Sequence, residues 1–300
     1  MKKLLFIRHA ESFGNKMKII QGHADFNLTE TGKKELSSLI NSNFSRFNNY
    51  DSIISSPLKR TYETAEIISG FINASVENDE LLKEFSAGIL DGLSKEEAKE
   101  KYEKYYKIWE KRGDLDQIPK AESGDMLQVR TLMFLERFLG EDYNHIIVSH
   151  AGFLRCLINT INGNKRTTPL NLDHDQLYEL EDIFDKINFE KNKLAKNSIV
   201  YKISTCDRDY IIKKEPRWLE KKDYDEKELI DYLSNYVNIP KIYLMTNRKK
   251  YFLKGIEYKD GVHIIGNLND IQIKNTTEML KKMQNLLYNI YLPQFFYYLF

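Results

Sequence analysis

The chain has 300 residues, room for one large domain or two ordinary ones with a sizeable core. Lys and Arg number 45 against 44 Asp and Glu, a formal net charge of +1. No global field therefore favours nucleic acid or an anionic membrane, and any preference for phosphate has to be local.

Leu4-Leu5-Phe6-Ile7 is a short apolar run that reads as a strand buried on both faces, and Arg8-His9-Ala10-Glu11-Ser12 follows at its carboxyl end. In open α/β sheets ligands gather at that edge. A guanidinium there can fork onto phosphate oxygens and an imidazole can act as a nucleophile. Arg8 also ends the apolar run too early for a signal peptide, and no segment approaches the roughly 20 apolar residues of a membrane span. Phe13 to His23, through Asn15, Gln21 and Gly22, is polar and glycine-punctuated, hence a loop. Thr29 is a candidate N-cap for a helix whose apolar face is Leu36, Leu39, Ile40 and Phe44.

Asp51-Ser52-Ile53-Ile54 reads as a second strand. Ser56 as N-cap and Pro57 at the first helical position predict a helix from Leu58 to about Ser69, with Arg60 in its first turn, where the helix dipole also favours an anion. A third strand, His145 to Val148, leads through Ser149-His150-Ala151-Gly152 into an apolar-faced helix. Gly152 permits close backbone approach or an unusual dihedral there. If these strands are neighbours in one parallel sheet, Arg8, His9, Arg60 and His150 converge on one pocket fit for a phosphoryl group. An acid to protonate a leaving alkoxide is sought between Arg60 and His150. Glu84 beside Phe85 is the candidate, since partial desolvation would raise its pKa, with Asp79, Glu80 and Asp91 as competitors.

Arg8-His9-Ala10-Glu11-Ser12 with Asn15, Gly22, Asp25 and Leu28 to Gly32 resembles the signature of the histidine phosphatase (phosphoglycerate mutase-like) superfamily. Ser55 to Thr61 with Thr64-Ala65 is similar to its second motif, Ser149 to Gly152 to its third, and Glu84 falls at its acid position. Glu122-Ser123 resembles the family's Gly-Glu-Ser segment, with Ala121 in place of the glycine. The resemblance implies a mostly parallel sheet flanked by helices on both faces, over residues 1–185. It implies that His9 takes the phosphoryl group as phosphohistidine and that Arg8, Arg60 and His150 stabilise the equatorial oxygens. Glu84 then serves as acid and water activator, catalysis resting on His9, Glu84 and His150. Ser12, Asn15, Gln21, Gly22 and Ala151 complete the substrate site. No cofactor or metal is implied, because the cationic side chains supply the positive charge. The short, Lys/Glu-rich segment after Glu84 favours a phosphatase of a small phosphorylated metabolite over a mutase.

Asp175 to Leu180 alternates like a last strand, and Asp185 to Lys196 reads as a linker or short helix before a smaller α+β domain, 186–300. Strands are expected at Ser198 to Ile203, Tyr210 to Lys214, Ile239 to Tyr243 and Tyr251 to Tyr258, with a helix from Glu226 to Tyr236. This order resembles the N-terminal lobe of aminoglycoside phosphotransferase and choline kinase-like proteins. That resemblance implies Lys213 as a nucleotide-phosphate lysine and Glu226 or Glu228 as its partner. No His-x-Asp catalytic loop follows Gly261, so kinase activity from this chain is not expected. The aromatic ending, Leu286 to Phe300, is a candidate for packing, self-association or partner docking. Asp173-His174-Asp175 has no second ligand set and is not read as a metal site, and His23, His145, His174 and His263 are given structural or solvated readings. Cys156 and Cys206 sit in no metal-ligand spacing and read as buried or half-buried thiols, consistent with a cytoplasmic protein.

Overall fold

Apolar runs and helix caps divide the chain into a regular succession of elements in the computed structural model, which describes residues 2–111, 115–140, 142–183, 187, 189–194, 198–216, 242–247 and 251–257. Strand β1 (Lys2–Arg8) leads through the short α1 (Phe13–Lys16) to α2 (Glu30–Ser42) and α3 (Phe44–Phe47). Then come β2 (Ser52–Ser55), α4 (Lys59–Ile72) and β3 (Ser75–Asn78), followed by α5 (Lys95–Lys101), α6 (Glu103–Glu110) and α7 (Gly124–Glu136). Strand β4 (Tyr143–Ser149), α8 (Ala151–Ile161) and β5 (Leu177–Glu181) complete the first sheet.

That sheet has the order β3-β2-β4-β1-β5. Its first four strands are parallel, and β5 runs antiparallel to β1 on the edge. The register sets Arg8 against Ser149 and Ser55 against Val148, so the carboxyl ends of β1, β2 and β4 lie side by side. Both faces are covered, as continuous apolar strands require. Leu5, Ile7, Ile53, Ile146 and Val148 pack with Leu36 and Ile40 of α2 and Ala65 and Ile68 of α4. The alternate residues Leu4, Phe6, Ile54 and Ile147 are equally buried, and α7 meets α8 through the Phe134–Phe153 ring pair, centroids 6.1 Å apart.

Three local expectations are corrected. Ser56 does not cap α4: the helix starts at Lys59 with Leu58 at the cap position. The Lys59 N–H is taken instead by Asp25 Oδ1 at 2.7 Å, from a distant loop, which frees the Ser56 hydroxyl for a partner across the sheet. In the region after α2 the chain buries Phe47 and leaves Phe44 outward, because α2 stops at Ser42 and the short α3 resets the periodicity. The stretch expected as a linker or short helix carries a strand, β6 (Phe189–Leu194).

Residues 1–189 and 203–208 form one compact unit, and 190–202 with 209–300 a second. The second contains most of β6 and of β7 (Ser198–Ser204), with β8 (Asp209–Pro216), β9 (Ile242–Asn247) and β10 (Tyr251–Glu257); the strand order of this sheet is β6-β7-β8-β10-β9. Lys213 lies on β8, opposite Lys254 of the antiparallel β10. The expected helix Glu226 to Tyr236, with Glu226 and Glu228, lies outside the described residues, as do Gly261 and the aromatic stretch Leu286 to Phe300. Among the described residues no helix is long and apolar enough to cross a membrane.

Candidate active site

His9 leaves the end of β1 with its backbone N–H bonded to the Ser149 carbonyl at 3.0 Å, which fixes it beside the end of β4. It is 3% exposed. Its Nδ1 lies 2.8 Å from the Ala10 carbonyl, an acceptor only, so Nδ1 carries the proton and Nε2 keeps its lone pair. Burial first, then the charges of Arg60 and Arg8, hold this imidazole well below its usual pKa. His9 is therefore neutral at pH 7.

His150 follows β4 directly as the cap residue of α8, its ring centroid 5.3 Å from that of His9. Its Nε2 meets Ser56 Oγ at 2.9 Å, while the same hydroxyl accepts the Leu58 N–H at 3.3 Å. That hydroxyl keeps its proton and one lone pair for Nε2, so the contact accommodates a ring proton on Nδ1. Nδ1 is buried and has no partner among the described residues, as is true of the Nε atoms of Arg8 and Arg60. Burial, then Arg60 and His9, push His150 well below its ordinary value too.

The guanidiniums are fixed by backbone carbonyls. Arg8 Nη1 donates to the Leu172 carbonyl at 3.0 Å. Arg60, 1% exposed, donates to the carbonyls of Gly22 at 2.8 Å and Ala24 at 2.9 Å. Gly22 adopts φ +46, and a Cβ there would lie 1.7 Å from Asp91 Oδ1, so the turn that presents its carbonyl requires glycine. Burial lowers Arg60 to about 10, still fully charged at neutral pH, with Glu84 and Asp25 opposing the shift.

Glu84 reaches the start of α8. Its Oε2 accepts the Gly152 N–H and its Oε1 the Phe153 N–H, both at 3.1 Å, and Oε1 also accepts the N–H of Phe85 at 2.8 Å. A helix N-terminus is a natural seat for a carboxylate. The competing acids have other work. Asp79 caps a 3-10 turn at Leu81, Glu80 pairs with Lys83, and Asp91 ties His23, Ser86 and Ala87 together.

Ser12, Asn15 and Gln21 close the loop after β1 on one another. The Ser12 hydroxyl lies 2.8 Å from both Asn15 Oδ1 and Gln21 Oε1, and the Ser12 N–H donates to Asn15 Oδ1 at 3.1 Å. Ala151 is the first residue of α8. Arg8, His9, Arg60, His150 and Glu84 are thus assembled around the ends of β1, β2 and β4, with this loop beside them. Lys213 stands in the second unit.

Sequence patterning missed four participants. His174, read as structural or solvated, donates from Nδ1 to the His9 carbonyl, its ring centroid 5.5 Å from that of His9. His23 Nε2 donates to the Glu84 carbonyl at 2.8 Å. Ser56 orients His150, and Arg130 grips the segment before Glu84. Nothing in the local sequence marks these, because each acts through a backbone carbonyl or a partner distant in the chain. Among the described residues no group of three or more His, Cys, Asp or Glu could hold a metal ion.

Two imidazoles kept neutral, one buried and one half-buried guanidinium and a seated carboxylate at the edge of a parallel sheet define a phosphoryl-handling enzyme. The chain belongs to branch 1 of the histidine phosphatase superfamily, whose sequence model matches residues 4–182, and it is a phosphatase by class. It is 35% identical over 159 residues to phosphoserine phosphatase 1 of Hydrogenobacter thermophilus, covering 52% of this chain and 74% of that protein. A second relative, described as the probable phosphoglycerate mutase GpmB of Photorhabdus laumondii, is 35% identical over 175 residues, 54% of this chain and 76% of that protein. Among solved structures, a phosphoserine phosphatase of Entamoeba histolytica in complex with 3-phosphoglyceric acid superposes with a TM-score of 0.51 at 25% identity, over 60% of this chain and 90% of that one. The alpha-ribazole phosphatase of Shigella flexneri shares the fold, with a TM-score of 0.53 at 22% identity over 63% of this chain and 91% of that one.

Proposed function

We propose that the chain hydrolyses a small phosphomonoester through a phosphohistidine on His9, without a metal. The observation that carries this reading is the pinned tautomer of His9, whose free Nε2 belongs to a neutral, buried ring set among Arg8, Arg60 and His150. The Nε2 lone pair attacks phosphorus while the bond to the leaving oxygen breaks, and Glu84, serving as the general acid, delivers a proton to that oxygen. Arg8, Arg60 and the Nδ1–H of His150 take up charge on the three equatorial oxygens. Water then attacks phosphorus, Glu84 recovers a proton from it, the P–N bond breaks and inorganic phosphate leaves. Ser12, Asn15, Gln21, Gly22 and Ala151 shape the walls of the site.

Hydrolysis is preferred to mutase transfer because the stretch after Glu84 is short, passing through a 3-10 turn at Gly88–Leu90 directly into α5 and α6. A mutase needs a longer cover to keep water from the phosphohistidine. Phosphoserine and phosphoglycerate-like esters are the first substrates to test, given the relatives' names. Free phosphate released from a panel of such esters, and its loss in Glu84→Gln, tests the reading. Transfer to 3-phosphoglycerate with little free phosphate would replace it by the mutase. For the second unit the kinase-lobe resemblance gives a narrower proposal: Lys213 on β8 contributes to a nucleotide or partner site, which Lys213→Ala would weaken in a nucleotide-binding titration.

A further inference from the structure

Arg130 on α7 is a buried guanidinium outside the group around His9, 8% exposed in its side chain and paired with Glu122 at 11%. An arginine has five N–H donors in a fixed plane, and here five acceptors meet them. Nε and Nη2 fork onto the two Glu122 oxygens at 2.8 and 2.7 Å. Nη1 donates to the carbonyls of Leu81 at 2.6 Å and Lys83 at 2.7 Å, and Nη2 to that of Glu84 at 3.5 Å. The guanidinium also lies 5.0 Å over the ring of Phe153, whose N–H is a donor to the Glu84 carboxylate.

One planar group thus holds the backbone that carries Glu84 and packs on the residue that receives its carboxylate. We propose that the Glu122–Arg130 pair is the positioning device for Glu84, setting where the acid's proton stands relative to the leaving oxygen. A buried guanidinium must satisfy all its donors, and here three of those bonds fall on the one segment, 81–84, that ends in Glu84. Lysine cannot replace it, because an ammonium lacks the planar fork. The inference rests on Glu84 being the general acid.

The test uses the full chain and the rate of phosphoenzyme formation in single turnover, with two esters. In p-nitrophenyl phosphate the leaving oxygen needs no proton, whereas in phosphoserine it does. Since general acid catalysis contributes about 100-fold or more, Arg130→Lys is expected to slow phosphoserine by about 100-fold and p-nitrophenyl phosphate by less than about 3-fold. On a Glu84→Gln background Arg130→Lys should add less than about 3-fold, because both changes remove one effect. Glu122→Gln, which keeps shape and loses the charged fork, should give the same selectivity more weakly and serves if Arg130→Lys fails to fold. Equal slowing of both esters, no slowing of either, or a full further loss on the Glu84→Gln background would overturn the proposal. If Glu84→Gln itself slows both esters equally, the acid assignment fails instead, and the two failures are told apart by that single variant.

Discussion

At the residue scale the site depends on which ring nitrogen carries a proton, and the neighbouring hydrogen bonds decide it. The Ala10 carbonyl assigns the proton of His9 to Nδ1, and the Ser56 hydroxyl is placed to leave that of His150 on Nδ1 by donating to Nε2. Arg8, His9, Arg60 and His150 were legible in the sequence because each stands at or just past a strand's carboxyl end or in the first turn of a helix. Ser56 was misread as a helix cap, since nothing local reveals that Asp25 caps α4 from the loop ahead. Ser56→Ala leaves the buried Nε2 of His150 without its partner. An unsatisfied buried group costs about 1–3 kcal/mol, so a lower denaturant midpoint is expected. The freed tautomer should also lower kcat about 10-fold with KM little changed, and steady-state kinetics beside a urea melt would check both. An unchanged kcat would show that the hydroxyl does not set the ring.

The element that ties the site together is the junction of β4 and α8. Gly152 was expected to allow either close approach or an unusual dihedral. It sits inside a regular helix, and a Cβ there would stand 2.5 Å from Glu84 Oε1, so space is what it supplies. Gly152→Ala should push the carboxylate aside rather than disturb the helix, because the obstructing atom is the tip of a long side chain. The displaced carboxylate also stops accepting the Gly152 and Phe153 N–H groups, a cap-like loss of about 0.5–2 kcal/mol, so the melting temperature is expected to fall slightly. Turnover of an alkyl phosphate should fall about 100-fold, the usual consequence of displacing a catalytic group by about 1 Å. A loss of stability well beyond that of one helix cap would mean that the helix itself had been disrupted.

Across the whole molecule, the parallel sheet and its helices were largely readable, because continuous apolar strands and capped helices carry their own signals. The edge strand β3, with pattern Ser75-Val76-Glu77-Asn78, was not, since it is mostly exposed and has no apolar run. The strand at Phe189–Leu194 was hidden by its polar composition. Cys156 is buried with its thiol pushed up to about 11, whereas Cys206 is exposed, against the reading of both as shielded. Four histidines, His9, His145, His150 and His174, are held below the ordinary imidazole value of 6.5, chiefly by burial. Below pH 6.5 the unfolded chain therefore binds more protons than the folded one, and stability rises with pH in that range. Their contribution is fully present above 6.5 and is lost as pH falls from there toward the folded values. Thermal melts should show a falling midpoint below pH 6.5, with a shallower slope in His150→Asn. A midpoint independent of pH between 5 and 7 would contradict the neutral, buried state assigned to these rings.

The central claim is that the phosphoryl group passes through His9. Rapid quench of the full chain with a phosphorus-labelled monoester that it hydrolyses, followed by peptide mapping, reads this directly. The account predicts acid-labile, base-stable label on the peptide carrying His9, formed faster than turnover and absent in His9→Ala, which should retain no measurable phosphate release. Label on any other residue, or undiminished hydrolysis by His9→Ala, would contradict it.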